Sequence, residues 1–535
     1  MASNQANSVL STRVLDVDTS KIGKFEDAQT LEKWELSRDT SPEDPLLLAA
    51  QHLRTKSIPV GFPTETVYGL GADATRSDAV KGIYKAKGRP SDNPLIIHVC
   101  DLTMLRQYLV PADATSSDSD RDPIPEIYKP LIKEFWPGPL TILLPNPSPS
   151  KLAPEVTAGL STFGVRMPDS PLALSLIKLA GVPLAAPSAN ASTKPSPTTA
   201  AHVLHDLSGR IELILNGGSC QVGVESTVVD GLCGPPVVLR PGGVSIERIR
   251  ECAGWENTVK SYKDLSEVGG SAPRAPGMKY KHYSPKAKVV LFESTGSSNN
   301  IGPLEVWRLL AARDGKLTYH GLEAATWPIK VGIVSTKNWG TWAGFHRAKW
   351  NSRTENHAAP SPTTDAAEHS DGEWDSVLVS HGSEEEPRYE PESFSSSWSQ
   401  SISSKPITVR AMPSDPSSLE FEVSLGKLLQ GDPLSALPAA DVIRMERSRQ
   451  ARAASSSAVD EFQNDFLEDL GHIADLFQIK LGGETKDIAH GLFSALRELD
   501  QREVDIIYVE GIEDEGDIAA AVMNRLRKAA TVIEK

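Results

Sequence analysis

Short apolar runs alternate with helical patterns through the first half of the chain. Leu46, Leu47, Ala50 and Leu53 recur at helical spacing. Ser41-Pro42-Glu43-Asp44 before them supplies a cap, a first-turn proline and acids for the positive end of the helix dipole. Residues 61–99 then predict strand, tight turn, short helix, basic loop and strand. Val60 and Phe62 are extended and apolar, Pro63 stops the ladder, and Gly69 and Gly71 let the backbone turn. Ser77 or Asp78 caps a helix with Val80, Ile83 and Tyr84 on one face, and Gly88 ends it. Thr64, Glu65 and Thr66 fall just past a strand end, and His98 lies inside the apolar run 95–99.

The same rhythm continues. Asp101 caps a helix carrying Leu102, Leu105 and Leu109, and residues 126–136 have helical spacing with Pro130 delaying the start. Residues 140–144 read as a buried strand. Val165 and Met167 flank Arg166 at another strand end, and Asp169-Ser170-Pro171 opens a helix that Gly181 closes. A short strand (183–186), the Ser188-Ala189-Asn190 turn, a helix (200–207) and strands at 211–215, 226–229 and 237–240 complete the pattern. Strand-turn-helix repetition implies an α/β sheet with polar residues gathered at strand ends.

Elsewhere the pattern weakens. Residues 1–39 are polar and read as a flexible N-terminal extension, so the first domain spans 40–254. Residues 255–287 form a linker stiffened by Pro273, Pro276 and Pro285, with Arg274, Lys279, Lys281 and Lys286 around Tyr280 and Tyr283. It reads as a plain spacer or as a basic aromatic strap over an anionic ligand. Apolar runs at 288–293, 330–335 and 505–509, with helical patterns at 488–499 and 518–530, make 288–535 a smaller α/β domain. Segments 351–405 and 444–458 carry too little apolar surface to offset ordering entropy and read as disordered insertions.

At 535 residues the chain exceeds one hydrophobic core. Its net charge of −15 argues against general affinity for nucleic acid. Against that background Lys85, Lys87 and Arg89 stand out: they are a solvated cluster, or they repel one another until an anion sits between them. No apolar run is long enough to span a bilayer, so no membrane association is expected. The first residues lack a secretory core, and Asp16 and Asp18 offset Arg13. A cytoplasmic protein is expected, with mitochondrial targeting of a fraction left open. Cys100, Cys220, Cys233 and Cys252 form no C-x-x-C pair and read as reduced thiols.

Read together, PTETVYGLG and KGRPSDNPLIIHV closely resemble the threonylcarbamoyl-AMP synthase family of YrdC-like proteins. The resemblance continues through WPGPLTILLP, GVRMPDSPLA, APSANAS, GVESTVVD and LRPGGVS, covering residues 42–253, and the ending looks like the C-terminal domain of the family's long form. It implies a twisted, mixed α/β YrdC-like sheet around a concave basic site, plus a smaller Rossmann-like C-terminal domain. That domain has no phosphate-binding glycine fingerprint, so no nucleotide site is assigned to it. The implied reaction joins L-threonine, bicarbonate and ATP into threonylcarbamoyl-AMP, with release of pyrophosphate and water. A downstream threonylcarbamoyl transferase then uses the product on the adenosine beside the anticodon of tRNAs reading ANN codons.

By resemblance, Thr66, His98, Arg166, Ala186 and Ser226 match the threonine-binding positions. Arg89, Asn93, Thr162, Ser188, Ser196, Arg240 and Tyr283 match the ATP-binding positions. Lys87 with Arg89, and Ser188 with Asn190, form the K-x-R and S-x-N elements expected at the catalytic centre. Mg²⁺ is expected on the ATP phosphates rather than on a protein site, with Glu65 and Glu225 as outer-shell participants. Taken singly, these residues have plainer readings. Ser188 and Asn190 suit a turn, His98 a satisfied core position, Arg240 a surface charge and Tyr283 linker packing. Competing functions are a non-catalytic double-stranded RNA or tRNA-binding module, a carbamoyl transferase accessory and a regulatory scaffold.

Overall fold

A computed structural model describes residues 10–20, 22–37, 43–89, 93–113, 122–262, 282–293, 329–339, 407–410, 472–516 and 518–534. The chain divides into two compact units. One holds Met1–Ser297, Val334–Asn338 and Lys480–Lys535; the other holds Ser298–Ile333 and Trp339–Ile479.

In the first unit β1 (Arg13–Asp16) precedes a hairpin of β2 (Gly23–Phe25) and β3 (Trp34–Leu36). Helix α1 (Pro45–Thr55) leads to β4 (Val60–Phe62), β5 (Gly69–Asp73), α2 (Ser77–Lys87), β6 (Ile96–His98) and α3 (Leu102–Gln107). Then come α4 (Lys129–Phe135), β7 (Leu140–Pro145), α5 (Pro154–Thr157), β8 (Thr162–Arg166), α6 (Pro171–Ala180) and β9 (Leu184–Ala185). Helix α7 (Ala200–Leu207), β10 (Leu213–Asn216), β11 (Thr227–Asp230), β12 (Val237–Arg240), α8 (Ile246–Arg250) and β13 (Val259–Lys260) follow. One mixed eleven-stranded sheet runs β1-β10-β4-β5-β9-β6-β8-β7-β11-β12-β13. Its register aligns His98 with Arg166 and Val228 with Arg240, which carries polar residues from distant sequence to neighbouring strand ends.

Several local readings hold in the structure. Asp101 caps α3 by accepting the Met104 amide over 2.8 Å. Ser170 caps α6, and Gly181 closes it at φ 69°. Gly88 closes α2 at φ 63°, a conformation that glycine adopts without a side-chain penalty. The start of α1 is shifted: Asp44, not Ser41, is the cap, and Pro45 occupies the first helical position. Helix α2 has no side-chain cap, because the Ser77 hydroxyl donates to Glu155 over 2.7 Å and Asp78 pairs with Arg76.

Two readings are corrected. Within the expected flexible extension, β1 pairs in parallel with β10, and the hairpin buries Trp34, whose indole donates to Ser175 over 3.1 Å. These strands are too short to show a period, and distant partners hold them in place. Residues 69–73 were expected as a turn but form β5, antiparallel to β4. Glycine is required there because a Cβ on Gly71 would lie 2.7 Å from the Phe62 ring. All four cysteines are unpaired. Among the described residues no helix is long and apolar enough to cross a membrane.

The C-terminal part of this unit contains β14 (Lys288–Phe292), and β15 (Ile329–Ser335) ends within it. In the second unit β16 (Ile407–Arg410) pairs antiparallel with β17 (His472–Lys480). The chain then returns to the first unit through α9 (Thr485–Gln501), β18 (Ile506–Glu510), α10 (Ala519–Ala529) and β19 (Val532–Glu534). Strand β14 lies parallel to both β18 and β19. The insertions at 351–405 and 444–458, and linker residues 263–281, lie outside the described residues.

Candidate functional site

Residues 64–66 leave the end of β4 and meet the end of β8. Arg166 donates from Nη1 to the Thr66 hydroxyl over 2.8 Å, and the same nitrogen lies 3.6 Å from Glu65. All three side chains are buried. The Thr66 hydroxyl also bonds that of Thr64 over 2.9 Å. Burial raises the Glu65 carboxyl above its usual range, against the pull of Arg166. Both of its oxygens lack a hydrogen-bond partner among the described residues, as does Arg166 Nε. Glu65 therefore stands beside a guanidinium.

His98 lies next to Arg166 in the register of β6 and β8. Burial, then the Arg166 charge, holds its imidazole well below the usual range, so the ring is neutral; its Nδ1 has no hydrogen-bond partner among the described residues. The Ala186 amide donates to Ile96 over 3.0 Å, fixing that backbone beside β6. Ser226 bonds Thr141 over 2.8 Å through their hydroxyls, a partner absent from the sequence reading. The 222–226 segment is tied to residues 64–66 by the Val222 amide on Glu65 O and the Gly223 amide on Thr66 O.

The K-x-R and S-x-N elements meet through Lys87. Its ammonium donates to Ser188 O over 2.5 Å, Asn190 O over 2.7 Å and Asn190 Oδ1 over 3.3 Å. The Ser188 hydroxyl donates to the same Oδ1 over 2.6 Å. Lys87 is thus enclosed as a loop-holding cation rather than a mobile charge in a basic loop. Burial, then the neighbouring Arg89, lowers its pKa well below the usual lysine value. Asn93 is buried, its side-chain amide atoms lack hydrogen-bond partners among the described residues, and its carbonyl accepts from Tyr84 Oη over 2.8 Å. Thr162 opens β8 whereas Arg166 ends it. About 13 Å of strand separates the two.

A second cluster centres on Glu225. Its Oε1 accepts from Ser196 Oγ over 2.5 Å, and its Oε2 accepts from Arg525 Nε over 3.0 Å. Burial favours the neutral acid, but the charges of Arg525 and Arg240 and the Ser196 bond outweigh it and bring the carboxyl down to about 2. Glu225 is thus held by Ser196 and Arg525. Arg240 is buried rather than a surface charge. It donates from Nη2 to Ser226 O over 2.8 Å and to Ser226 Oγ over 3.1 Å, so it joins this cluster to the threonine-matching residues. Tyr283 adopts φ 65° and stacks on Phe493 at 5.2 Å between ring centroids. Burial and Glu225 push its hydroxyl up to about 12.

Phe493, Arg497 and Arg525 received no site role in the sequence reading, although LFSALRELD and AVMNRLRKAA, which carry them, resemble the family's C-terminal domain. Arg497 grips Asp206 through both oxygens, at 3.2 and 2.8 Å, and also donates to Pro195 O. Small residues permit these close approaches. A Cβ on Gly223 would lie 2.4 Å from the His490 Cα, and one on Gly242 would lie 2.1 Å from the Thr227 nitrogen. Only glycine-rich G-V-E-S and R-P-G-G hinted at such crowding. Chemically, the ensemble offers an arginine with hydroxyls for an amino acid and a cation-rich cluster for polyphosphate.

Residues 53–242 match the family described as Telomere recombination. Residues 244–370 and 435–531 match the family described as Threonylcarbamoyl-AMP synthase, C-terminal domain. The chain is 51% identical over 302 residues to the threonylcarbamoyl-AMP synthase of Schizosaccharomyces pombe, covering 54% of this chain and 71% of that protein. It is 49% identical over 261 residues to the Bacillus subtilis threonylcarbamoyl-AMP synthase, covering 49% and 70%. A solved structure of P. abyssi Sua5 complexed with L-threonine superposes with a TM-score of 0.54 at 31% identity, covering 92% of this chain and 95% of that one.

Proposed function

Because the chain belongs to the threonylcarbamoyl-AMP synthase family, we propose that its two clusters hold L-threonine and ATP for one condensation. The enzyme joins L-threonine, bicarbonate and ATP into threonylcarbamoyl-AMP, pyrophosphate and water. The observation that carries the site assignment is the Arg240–Ser226 bond, which joins the nucleotide-matching cluster to the amino-acid-matching one.

Arg166 takes the threonine carboxylate as a two-point clamp, with Thr66 and Ser226 beside it for the amine and hydroxyl. Neutral His98 and the Ala186 backbone border the same pocket. Bicarbonate and the threonine amine form the carbamate, whose oxygen attacks the α-phosphorus of ATP as pyrophosphate leaves. No protein nucleophile is needed, so positioning and charge neutralisation supply the catalysis. Arg89, Arg240, Ser196, Asn93 and Tyr283 bind ATP. Lys87 positions Ser188 and Asn190. The phosphates carry Mg²⁺, in keeping with a carboxylate, Glu225, already committed to Ser196 and Arg525. The product serves tRNA modification in the cytoplasm.

Pyrophosphate release from ATP and bicarbonate, measured with L-threonine or L-serine, tests this reading. Threonine-dependent release with a threonylcarbamoyl-AMP product is expected. No release from folded, ATP-binding protein would overturn it in favour of an RNA-binding module.

A further inference from the structure

Arg525 lies on α10, far in sequence from every motif discussed above. Its side chain is nevertheless fully buried in the Glu225 cluster. Nε donates to Glu225 over 3.0 Å and Nη1 to Pro241 O over 2.5 Å, while the guanidinium carbon lies 5.9 Å from the Tyr283 ring centre. Nη2 is buried without a hydrogen-bond partner among the described residues. A guanidinium with five donors leaves one nitrogen idle only at a cost, unless another acceptor arrives.

The charge balance points the same way. Among the described residues one carboxylate, Glu225, lies in the field of two buried guanidiniums, those of Arg525 and Arg240. A further anion placed between buried guanidiniums is favoured by their charge. Around that charge stand Ser196, Arg240 and Tyr283, three residues assigned to ATP. Arg497, on the neighbouring helix α9, also leaves a buried nitrogen, Nε, without a partner among the described residues, but it places both terminal nitrogens on one carboxylate and serves as an anchor.

We propose that Arg525 is a nucleotide-positioning residue, holding the phosphate chain of ATP, and then pyrophosphate, beside Arg240. Glu225 orients it by fixing Nε, which leaves Nη2 for a phosphate oxygen. The C-terminal segment thereby completes the triphosphate site instead of only packing against it. This rests on the synthase reading above.

The test is calorimetric titration of the full chain with inorganic pyrophosphate, and separately with L-threonine. The variants are Glu225→Gln, Glu225→Gln/Arg525→Gln and Arg525→Lys. The first removes the acid that a neutral residue 525 would leave stranded, so the pair of glutamine variants isolates Arg525. Pyrophosphate is expected to bind about tenfold or more weakly to the double variant than to Glu225→Gln, with threonine affinity unchanged. Arg525→Lys keeps the charge but loses the fork, and binds pyrophosphate more weakly than wild type at unchanged threonine affinity. Equal pyrophosphate affinity across the glutamine pair would overturn the proposal. So would a parallel loss of threonine binding and melting temperature, the mark of a merely structural role. A wild-type chain that binds neither pyrophosphate nor ATP would instead sink the synthase reading itself.

Discussion

Arg166 and Thr66 form a buried hydrogen bond of 2.8 Å across a sequence separation of 100 residues. The arginine ends β8, the threonine follows β4, and neither element alone creates a pocket. If Arg166 is the proposed carboxylate clamp, removing the guanidinium leaves a threonine carboxylate unpaired, a loss of about 3 kcal/mol for a buried charge partner. Arg166→Ala should therefore raise the threonine KM by about a hundredfold, with the circular dichroism spectrum of the wild type. Initial rates against threonine concentration decide this; an unaltered KM would place the clamp elsewhere.

Lys87 and Arg89 should separate by phenotype. Lys87 donates to two carbonyls and the Asn190 amide oxygen, all of which lose a charged donor in Lys87→Met. That variant is expected to lose about 2–4 kcal/mol of stability together with activity. Arg89→Ala should lose ATP turnover while its urea midpoint stays near wild type. Equal destabilisation of both variants would contradict the division of roles.

The acid limb of stability should depend on Glu225. Its folded pKa of about 2 lies below the ordinary value of 4.5. The stabilisation is therefore complete above pH 4.5 and is lost as pH falls through the folded value. Its size is on the order of 3 kcal/mol. Glu225→Gln should lower the melting temperature at neutral pH and flatten its decline on acidification. A variant curve parallel to wild type from neutral pH down to acid would refute this.

Gly242→Ala tests how tightly the R-P-G-G turn supports Ser226. The new methyl would lie 2.1 Å from the Thr227 nitrogen and 2.2 Å from the Ser226 carbonyl carbon. These neighbours are backbone, so the strand start must shift, at a cost of about 1–3 kcal/mol. Weaker threonine binding should accompany the lower unfolding midpoint. Preserved affinity would show that the turn yields without moving Ser226.

Helix ends and apolar strands were legible wherever the signal was local. Gly88, Asp101, Ser170 and Gly181 act through their own backbone conformations or neighbouring amides, so a few residues of sequence suffice to read them. Strand β1 was not legible, because Arg13-Val14-Leu15-Asp16 has no period of its own and becomes a strand only by pairing with β10. Likewise Gly69 and Gly71 look like turn residues until Phe62 occupies the space their side chains would need.

The candidate site divides along the same line. Its residues were readable through the family resemblance, since taken singly Ser188 and Asn190 suit a turn, His98 a core position and Arg240 a surface charge. Which charges are committed to one another was decided by the tertiary structure. Lys87 turned inward to Ser188 and Asn190, and Glu225 took Arg525 from a helix 300 residues away. Sequence determines local conformation and the chemistry available at each position. Pairing between buried charges depends on distance and desolvation, and those exist only once the chain has packed.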